Sequence, residues 1–144
     1  MNASIMCIGT ELTRGEVADT NGAWLAAKLT SHGHNVATIE MVADEVEAIT
    51  ERLARLGSTS NLIVACGGLG PTSDDLTRTA VAQLLDVPLI RDQPSLTAIS
   101  ARMARFGRAI ATSNAVQADF PQGATILQNR QGTAPGFLLH PATR

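Results

Sequence analysis

Aromatic residues are scarce in this sequence of 144 residues: they make up 3% of it, and tyrosine is absent. Proteins that bind nucleic acids usually combine a basic surface with rings on which bases stack. The formal net charge is −2, which does not suit that class. The sequence has neither a secretion signal nor an apolar run of the roughly 18 residues that a membrane helix requires. We therefore expect a cytoplasmic protein with no membrane or nucleic-acid partner.

The sequence also has little that would form a zinc site or a disulfide framework. Its two cysteines, Cys7 and Cys66, lie inside apolar runs and form no C-x-x-C motif. We expect them to be core thiols, because a free cysteine usually packs as a small apolar residue. No cysteine or carboxylate stands at zinc-ligand spacing from the three histidines.

Apolar runs and amphipathic segments alternate along the chain. Strands are predicted at residues 4–8, 35–42, 62–66, 125–128 and 137–140. Helices are predicted at about residues 19–31, from residue 44 with Asp44 and Glu47 as a capping box, after residue 72, at residues 96–106, and as a short turn at 114–118.

Strands that alternate with helices predict an α/β fold, here a single domain over residues 1–144. Right-handed crossovers produce a three-layer α/β/α arrangement with a mostly parallel, doubly wound sheet. In such a sheet, ligands bind outside the carboxyl ends of the strands where the strand order reverses. For the order 2-1-3, that point lies between the first and third strands.

The loops after those two strands are the most unusual segments of the sequence: residues 9–21 (GTELTRGEVADTN) and 67–77 (GGLGPTSDDLT). In the second loop, Gly67, Gly68 and Gly70 leave backbone N–H groups unobstructed before a helix, which favours binding of an anion such as phosphate. The same glycines would also suit a tight strand-to-helix turn. The loop has neither the lysine of a Walker A motif nor the G-x-G-x-x-G spacing of a dinucleotide site.

Two adjacent carboxylates, Asp74 and Asp75, follow the glycines in the predicted first turn of the helix. They would either cap the helix or hold a divalent cation together with substrate phosphates. A third glycine-bearing segment, residues 132–137 (GTAPGF), either closes over a ligand or simply connects two strands.

At these residues the sequence resembles the N-terminal domain of CinA-like (competence/damage-inducible) proteins, within the MoaB/Mog molybdopterin-binding superfamily. The resemblance covers residues 5–139. It rests on the two loops, on GTAPGF, and on the spacing of Asn114, Gln117, Ala118, Pro121, Gly123 and Asn129.

This resemblance implies metal-dependent hydrolysis of ADP-ribose to AMP and ribose 5-phosphate, with Mg²⁺, Mn²⁺ or Co²⁺. The MoaB/Mog branch implies instead molybdopterin binding or adenylyl transfer in molybdenum-cofactor synthesis, and a non-catalytic truncated module is a third hypothesis. The ligand is in each case a small nucleotide or pterin phosphate. A fold of this kind cannot choose between these functions.

The loops and the resemblance together give a set of candidate site residues. The catalytic candidates are Asp75 and Asp74. The phosphate- or substrate-binding candidates are Gly9, Thr10, Asn21, Gly67, Gly68, Gly70, Thr72, Gly132 and Thr133. The metal-ligand candidates are Asp75, Asp74, Glu11 and Asp19.

The chain departs from the CinA pattern at its C-terminal end. The resemblance leads us to expect a further strand and a PG-x-P loop after residue 144, so the domain is expected to be C-terminally incomplete. We expect no nicotinamide-mononucleotide deamidase domain of the kind found in full CinA proteins, and we predict no deamidase activity. An unpaired sheet edge would favour association into a homo-oligomer.

Overall fold

A parallel sheet of three strands forms around the first strand of the chain. In this computed structural model, which describes residues 1–140, β1 (Asn2–Ile8) lies between β2 (Asn35–Val42) and β3 (Leu62–Cys66) and runs parallel to both. The residues of β1 from Ala3 to Ile8 are buried on both faces, as a continuous apolar run predicts. The predicted order 2-1-3 and the α/β class are confirmed.

Three helices accompany these strands in the unit Met1–Gly68. They are α1 (Thr10–Thr13), α2 (Asn21–Ser31) and α3 (Val46–Gly57). Helix α2 packs on β1 and β2, and α3 packs on β3. The helical spacing in the sequence predicts that Val46, Ile49, Leu53 and Leu56 share one face of α3, and the last three of these are buried. The short helix α1 was not predicted.

A second unit begins at Leu69. Its helices are α4 (Thr77–Leu85), α5 (Gln93–Arg105) and α6 (Thr112–Ala115), followed by a 3-10 turn at Val116–Ala118. Its strands form two antiparallel pairs: β4 (Leu89–Arg91) with β5 (Asp119–Pro121), and β6 (Thr125–Leu127) with β7 (Gly136–Leu138). The β6–β7 pair was predicted, whereas β4 and β5 were not.

Two side-chain roles predicted at helix starts are wrong. Asp44 does not cap α3; its carboxylate accepts a hydrogen bond from the backbone N–H of Thr10 at 2.7 Å. Asp74 and Asp75 lie in the turn before α4, which begins at Thr77, and not in the first turn of that helix. In both places a tertiary or turn hydrogen bond replaces the local capping bond that the spacing favoured.

Within residues 1–140, no helix is long and apolar enough to cross a membrane. The predicted domain boundary at residue 144 stays a prediction, because residues 141–144 lie outside the described part of the chain.

A substitution at Gly67 tests how tightly β1 constrains the backbone where the glycine loop begins. Its φ is +104°, and a Cβ added there would lie 2.0 Å from the carbonyl oxygen of Ile8. We expect Gly67→Ala to lower the free energy of unfolding by roughly 2–4 kcal/mol, measured by urea denaturation. The matched control is Gly57→Ala, because Gly57 is helical with nothing within 4 Å of its Cβ position; it should stabilise by about 0.5–1 kcal/mol. Equal effects of the two substitutions would contradict this account.

Candidate functional site

The loop after β1 is held by hydrogen bonds to the segment between β2 and α3. Thr10 donates its backbone N–H to the Asp44 carboxylate, and its hydroxyl accepts the backbone N–H of Asp44 at 3.1 Å. Gly9 is buried and donates its N–H to the carbonyl of Val42. The polar groups of Thr10 that were predicted to bind phosphate therefore already have protein partners. Glu11 is exposed, and its carboxylate folds back over Gly9.

Asp19 holds the beginning of α2. Its Oδ1 accepts the N–H groups of Asn21 and Gly22 at 3.1 and 3.0 Å, so this carboxylate caps the free amides at the start of the helix. Gly22 must lack a side chain here, because a Cβ would lie 2.3 Å from Oδ2 of Asp19. Asn21 is exposed at the first position of α2. The structure thus gives Asp19 a capping role, and its predicted role as a metal ligand stays a prediction.

Asp19 also contacts a pair of thiols. The thiol of Cys7 donates to Oδ2 of Asp19 at 3.3 Å, and the thiol of Cys66 donates to the sulfur of Cys7 at 3.5 Å. Both cysteines are free. Burial raises the pKa of Cys7 far above its usual range, and hydrogen bonds with Cys66 and Asp19 act in the same direction. Burial also raises the pKa of Cys66. Both groups are therefore protonated, poorly nucleophilic thiols.

The glycine loop begins where β3 ends beside β1. Gly67 and Gly68 both have positive φ, at +104° and +62°, a conformation that only glycine adopts readily at two successive positions. Within residues 1–140, the backbone N–H groups of Gly68 and Leu69 have no hydrogen-bond acceptor. Successive free amides of this kind are the usual protein ligands of an anion.

The continuation of this loop is held by Asp75. Its Oδ1 accepts the N–H of Gly70 at 2.7 Å, and its Oδ2 accepts both the N–H and the hydroxyl of Thr72, at 2.8 and 2.6 Å. Gly70 has no room for a side chain, because a Cβ would lie 2.6 Å from the Asp75 carboxylate. The predicted residues Gly70, Thr72 and Asp75 are thus brought together, with Asp75 as the group that shapes the loop.

These contacts determine the ionisation of Asp75. Partial burial raises its pKa, but the hydrogen bonds from Thr72 and Gly70, together with the positive charge of Arg78, outweigh burial and leave the pKa of Asp75 below its ordinary value. The carboxylate is therefore fully ionised at neutral pH. The loop amides donate stronger hydrogen bonds to this ionised carboxylate than they would to a neutral carboxyl group.

Asp74 differs from its neighbour. It is exposed, and within residues 1–140 its carboxylate accepts a single hydrogen bond, a long one of 3.4 Å from the hydroxyl of Ser73. No group of three or more histidine, cysteine or acidic residues able to hold a metal ion occurs in the part of the chain that the structure describes. A cation would therefore need oxygen ligands from a bound phosphate or water in addition to a carboxylate here.

The third predicted loop is held by three side chains of the second unit, those of Arg102, Asn129 and Gln117. Arg102, on α5, donates to the carbonyls of Gly132 and Gln131, both at 2.8 Å. Asn129 accepts the N–H groups of Gln131 and Gly132, both at 2.9 Å. The hydroxyl of Thr133 donates to the side-chain carbonyl of Gln117 at 2.8 Å. Gly132 and Thr133, predicted to bind substrate, therefore make internal contacts in this structure.

A cavity of about 370 Å³ lies between α5 and this third loop. Gly132 and Thr133 are among its lining residues, together with Asp92, Ser95, Ile99, Arg102 and Asn129. The polar groups that line it on the loop side are mostly used to hold the loop itself. On this side of the cavity, the amides of Gln131 and Gly132 already donate hydrogen bonds to Asn129.

Sequence reasoning missed the residues that hold the loops. Arg78, Asp44 and Arg102 all make hydrogen bonds to loop backbone. Only Arg78 had a signal in the sequence, since it stands three residues after Asp75. The partners of Asp44 and Arg102 lie 34 and about 30 residues away in the chain, a separation that no local pattern reveals.

A parallel α/β unit with a glycine loop at the end of a strand is an arrangement in which many α/β proteins bind a small anionic ligand. The comparisons with known proteins are more specific. A family model described as "Probable molybdopterin binding domain" matches residues 4–143. The chain belongs to this molybdopterin-binding domain family, and its relatives there are CinA-like proteins.

Curated relatives cover nearly the whole chain. A CinA-like protein of Anaeromyxobacter sp. (strain K) is 42% identical over 139 residues, which is 96% of this chain and 34% of that protein. A competence-damage inducible protein homologue of Oceanobacillus iheyensis is 39% identical over 138 residues, 96% of this chain and 33% of that protein. The chain therefore spans about a third of the length of these relatives.

Solved structures agree with the family. The CinA protein of Thermoplasma acidophilum superposes with a TM-score of 0.86 at 33% identity, over 94% of this chain and 79% of that one. The molybdopterin biosynthesis enzyme MoaB of Thermus thermophilus gives a TM-score of 0.53 at 26% identity, over 78% of this chain and 68% of that one. Both confirm the predicted fold class and the predicted resemblance.

The lowered pKa of Asp75 makes a prediction about stability and pH. Since the folded-state pKa lies below the ordinary value of 3.8, the contribution of Asp75 to stability is present above that value and is lost as the pH falls through the folded-state pKa. We expect Asp75→Asn to destabilise by about 1–2 kcal/mol near pH 7. The difference from the wild type should shrink in acid, as measured by urea denaturation. Asp74→Asn is the control, and a pH-independent effect of Asp75→Asn would contradict this assignment.

The thiol pair makes a second prediction. Because burial keeps both cysteines protonated, a thiol-specific disulfide reagent should react with the native protein on the order of tenfold or more slowly than with free cysteine. Both thiols should react at once after unfolding in urea. Each variant leaves one thiol: Cys7 in Cys66→Ala, and Cys66 in Cys7→Ala. Because Cys7 is fully buried, we expect Cys66→Ala to react more slowly than Cys7→Ala. Rapid native-state reaction of either variant would show that the pair is accessible.

Proposed function

We propose that residues 67–75 bind a phosphate group of a small ligand, and that this chain supports metal-dependent hydrolysis of ADP-ribose to AMP and ribose 5-phosphate. One observation carries the proposal: a glycine loop held by Asp75 leaves the amides of Gly68 and Leu69 without protein acceptors among the described residues, and the exposed carboxylate of Asp74 follows in the same loop. Free amides suit an anion, whereas a free carboxylate suits a cation.

The loop is suited to bind phosphate because its shape exists before the ligand arrives. Asp75 contributes three hydrogen bonds to Gly70 and Thr72, so little conformational entropy remains to be lost on binding. Amides fixed in this way also stabilise charge that develops on a phosphate oxygen during reaction, since they need no reorganisation.

Of the two adjacent carboxylates in this loop, Asp74 is the better candidate ligand for a divalent cation. Both oxygens of Asp75 already accept hydrogen bonds from the loop, whereas Asp74 makes one weak contact with the residues that the structure describes. Asp74 would therefore hold Mg²⁺, Mn²⁺ or Co²⁺ together with phosphate oxygens and water, the mode that Mg²⁺ favours in proteins. When bound, the cation would neutralise charge on the pyrophosphate and lower the pKa of a bound water.

Backbone and side-chain groups of this chain would then have separate roles in the reaction. The amides of Gly68 and Leu69 orient one phosphate, and Asp75 keeps them in place. Asp74 would order a water molecule for attack on phosphorus. The attack forms one phosphorus–oxygen bond and breaks the bridging one, so that ADP-ribose and water yield AMP and ribose 5-phosphate. Glu11 and Asp19 remain candidate ligands on the first loop.

The choice of ADP-ribose rests on the resemblance to CinA-like proteins, supported by relatives of that name at about 40% identity. The match of the family described as a molybdopterin binding domain supports a second candidate, namely binding or adenylylation of molybdopterin. The structural role of Asp75 supports a third, a module that binds a phosphate ligand without turnover. All three use the same loop, and the ligand distinguishes them.

The first experiment is a thermal-shift titration with ADP-ribose and Mg²⁺, Mn²⁺ or Co²⁺, followed by an assay for AMP in the same samples. We expect a rise in Tm and release of AMP. Asp74→Asn should lower turnover by about a hundredfold or more while the loop stays formed. The matched control is Asp86→Asn, because Asp86 is exposed with φ of +53°, a conformation that asparagine tolerates.

The outcomes separate the three candidates. A rise in Tm without AMP would leave a binding module. Saturable binding of molybdopterin in preference to ADP-ribose would favour the molybdopterin candidate. Unchanged turnover in Asp74→Asn would show that Asp74 has no role in the reaction. If no phosphate ligand raises Tm or is hydrolysed, the proposal as a whole is overturned.

A further inference from the structure

Arg78 is a buried cation with an incomplete set of hydrogen bonds. Only 3% of its surface is exposed, although it lies in the first turn of α4. Its Nη2 donates to the carbonyl oxygens of Leu69 and Gly70, at 2.8 and 3.0 Å. Its Nη1 is buried and has no hydrogen-bond partner among residues 1–140. Arginine is rarely buried without a function or an ion pair, because its desolvation costs several kcal/mol.

Arg78 and Asp75 hold the two ends of one peptide group. In a trans peptide the C=O and the N–H point in opposite directions. In the peptide between Leu69 and Gly70, the carbonyl oxygen accepts from Arg78 and the N–H donates to Asp75. A rotation of this peptide would break both hydrogen bonds at once. Its orientation is therefore fixed from both sides.

The orientation matters for an anion. With the carbonyls of Leu69 and Gly70 directed to the buried guanidinium, they cannot turn towards a phosphate, where their partial negative charge would repel it. The N–H of Leu69, which belongs to the preceding peptide, stays without an acceptor in the described part of the chain. The guanidinium also adds positive charge beneath the loop, where burial weakens screening by solvent.

We propose that Arg78 is a positioning residue for the phosphate site: it fixes the Leu69–Gly70 peptide so that the loop presents amides, and not carbonyls, to an anionic ligand. This inference rests on the proposed function in one respect, since it requires that the loop bind phosphate. It does not require hydrolysis, a metal or a particular nucleotide.

The acidic neighbours of Arg78 agree with this role. Burial lowers the pKa of Arg78, and the negative charges of Asp75 and Asp119 offset part of that effect. Asp119 is itself paired with Arg91 on the neighbouring strand. Of the two acidic neighbours of Arg78, Asp75 holds the loop and Asp119 is paired with Arg91. The hydrogen bonds of Arg78 itself go to backbone carbonyls.

The test compares Arg78→Met, Arg78→Lys and the matched control Arg105→Met, since Arg105 is exposed in the last turn of α5. The probes are inorganic pyrophosphate and ADP-ribose, each with Mg²⁺, and the readouts are Kd by calorimetry well below each Tm and hydrogen exchange of the Gly70 amide. We expect Kd to rise about tenfold or more in Arg78→Met, less in Arg78→Lys, and not at all in Arg105→Met. Exchange of the Gly70 amide should accelerate in the same order.

A merely structural role would lower Tm without this graded loss of affinity. A folded Arg78→Met that binds pyrophosphate as tightly as the wild type would overturn the inference. If Arg78→Met does not fold, wild-type affinity in Arg78→Lys would overturn it equally. Pyrophosphate binding without AMP release from ADP-ribose would remove the hydrolytic function and leave the inference standing. No binding of either probe by the wild type would overturn both.

Discussion

The pairing requirement of β1 governs where the loops of the first unit lie. Six successive residues of this strand are buried, and the N–H and C=O groups of a buried strand must find partners inside the protein. Parallel strands β2 and β3 supply them on either side. Since all three strands run in the same direction, the chain leaves β1 and β3 at the same edge. The contact between Gly67 and the Ile8 carbonyl is the direct result.

Much of this framework could be predicted from the sequence. The apolar runs indicated β1, β2 and β3, and the helical spacing indicated the buried face of α3 at Ile49, Leu53 and Leu56. The glycine pattern correctly placed a sharp turn at Gly67 and Gly68. These features depend on local burial and on backbone conformation, both of which leave a periodic or compositional trace.

Other features depend on partners distant in sequence. Strand β4 is three exposed residues that pair with β5, and Arg91 reaches Asp119, 28 residues further along the chain. Asp44 had a local capping partner available but binds the amide of Thr10. The candidate site shows the same limit: the loops were found because they are rich in glycine, whereas the side chains that hold them became visible only in three dimensions.

The arrangement of Arg78 and Asp75 has a consequence for the order of folding. The peptide they hold and both side chains fall within residues 69–78, which form the loop before α4 and the first two residues of that helix. Contacts so close in sequence close small chain loops at little entropic cost, and they can form before the distant strands pair. The turn that we propose as the anion site would then be an early, self-contained element of this chain, and its integrity would depend on the first turn of α4, which carries Arg78.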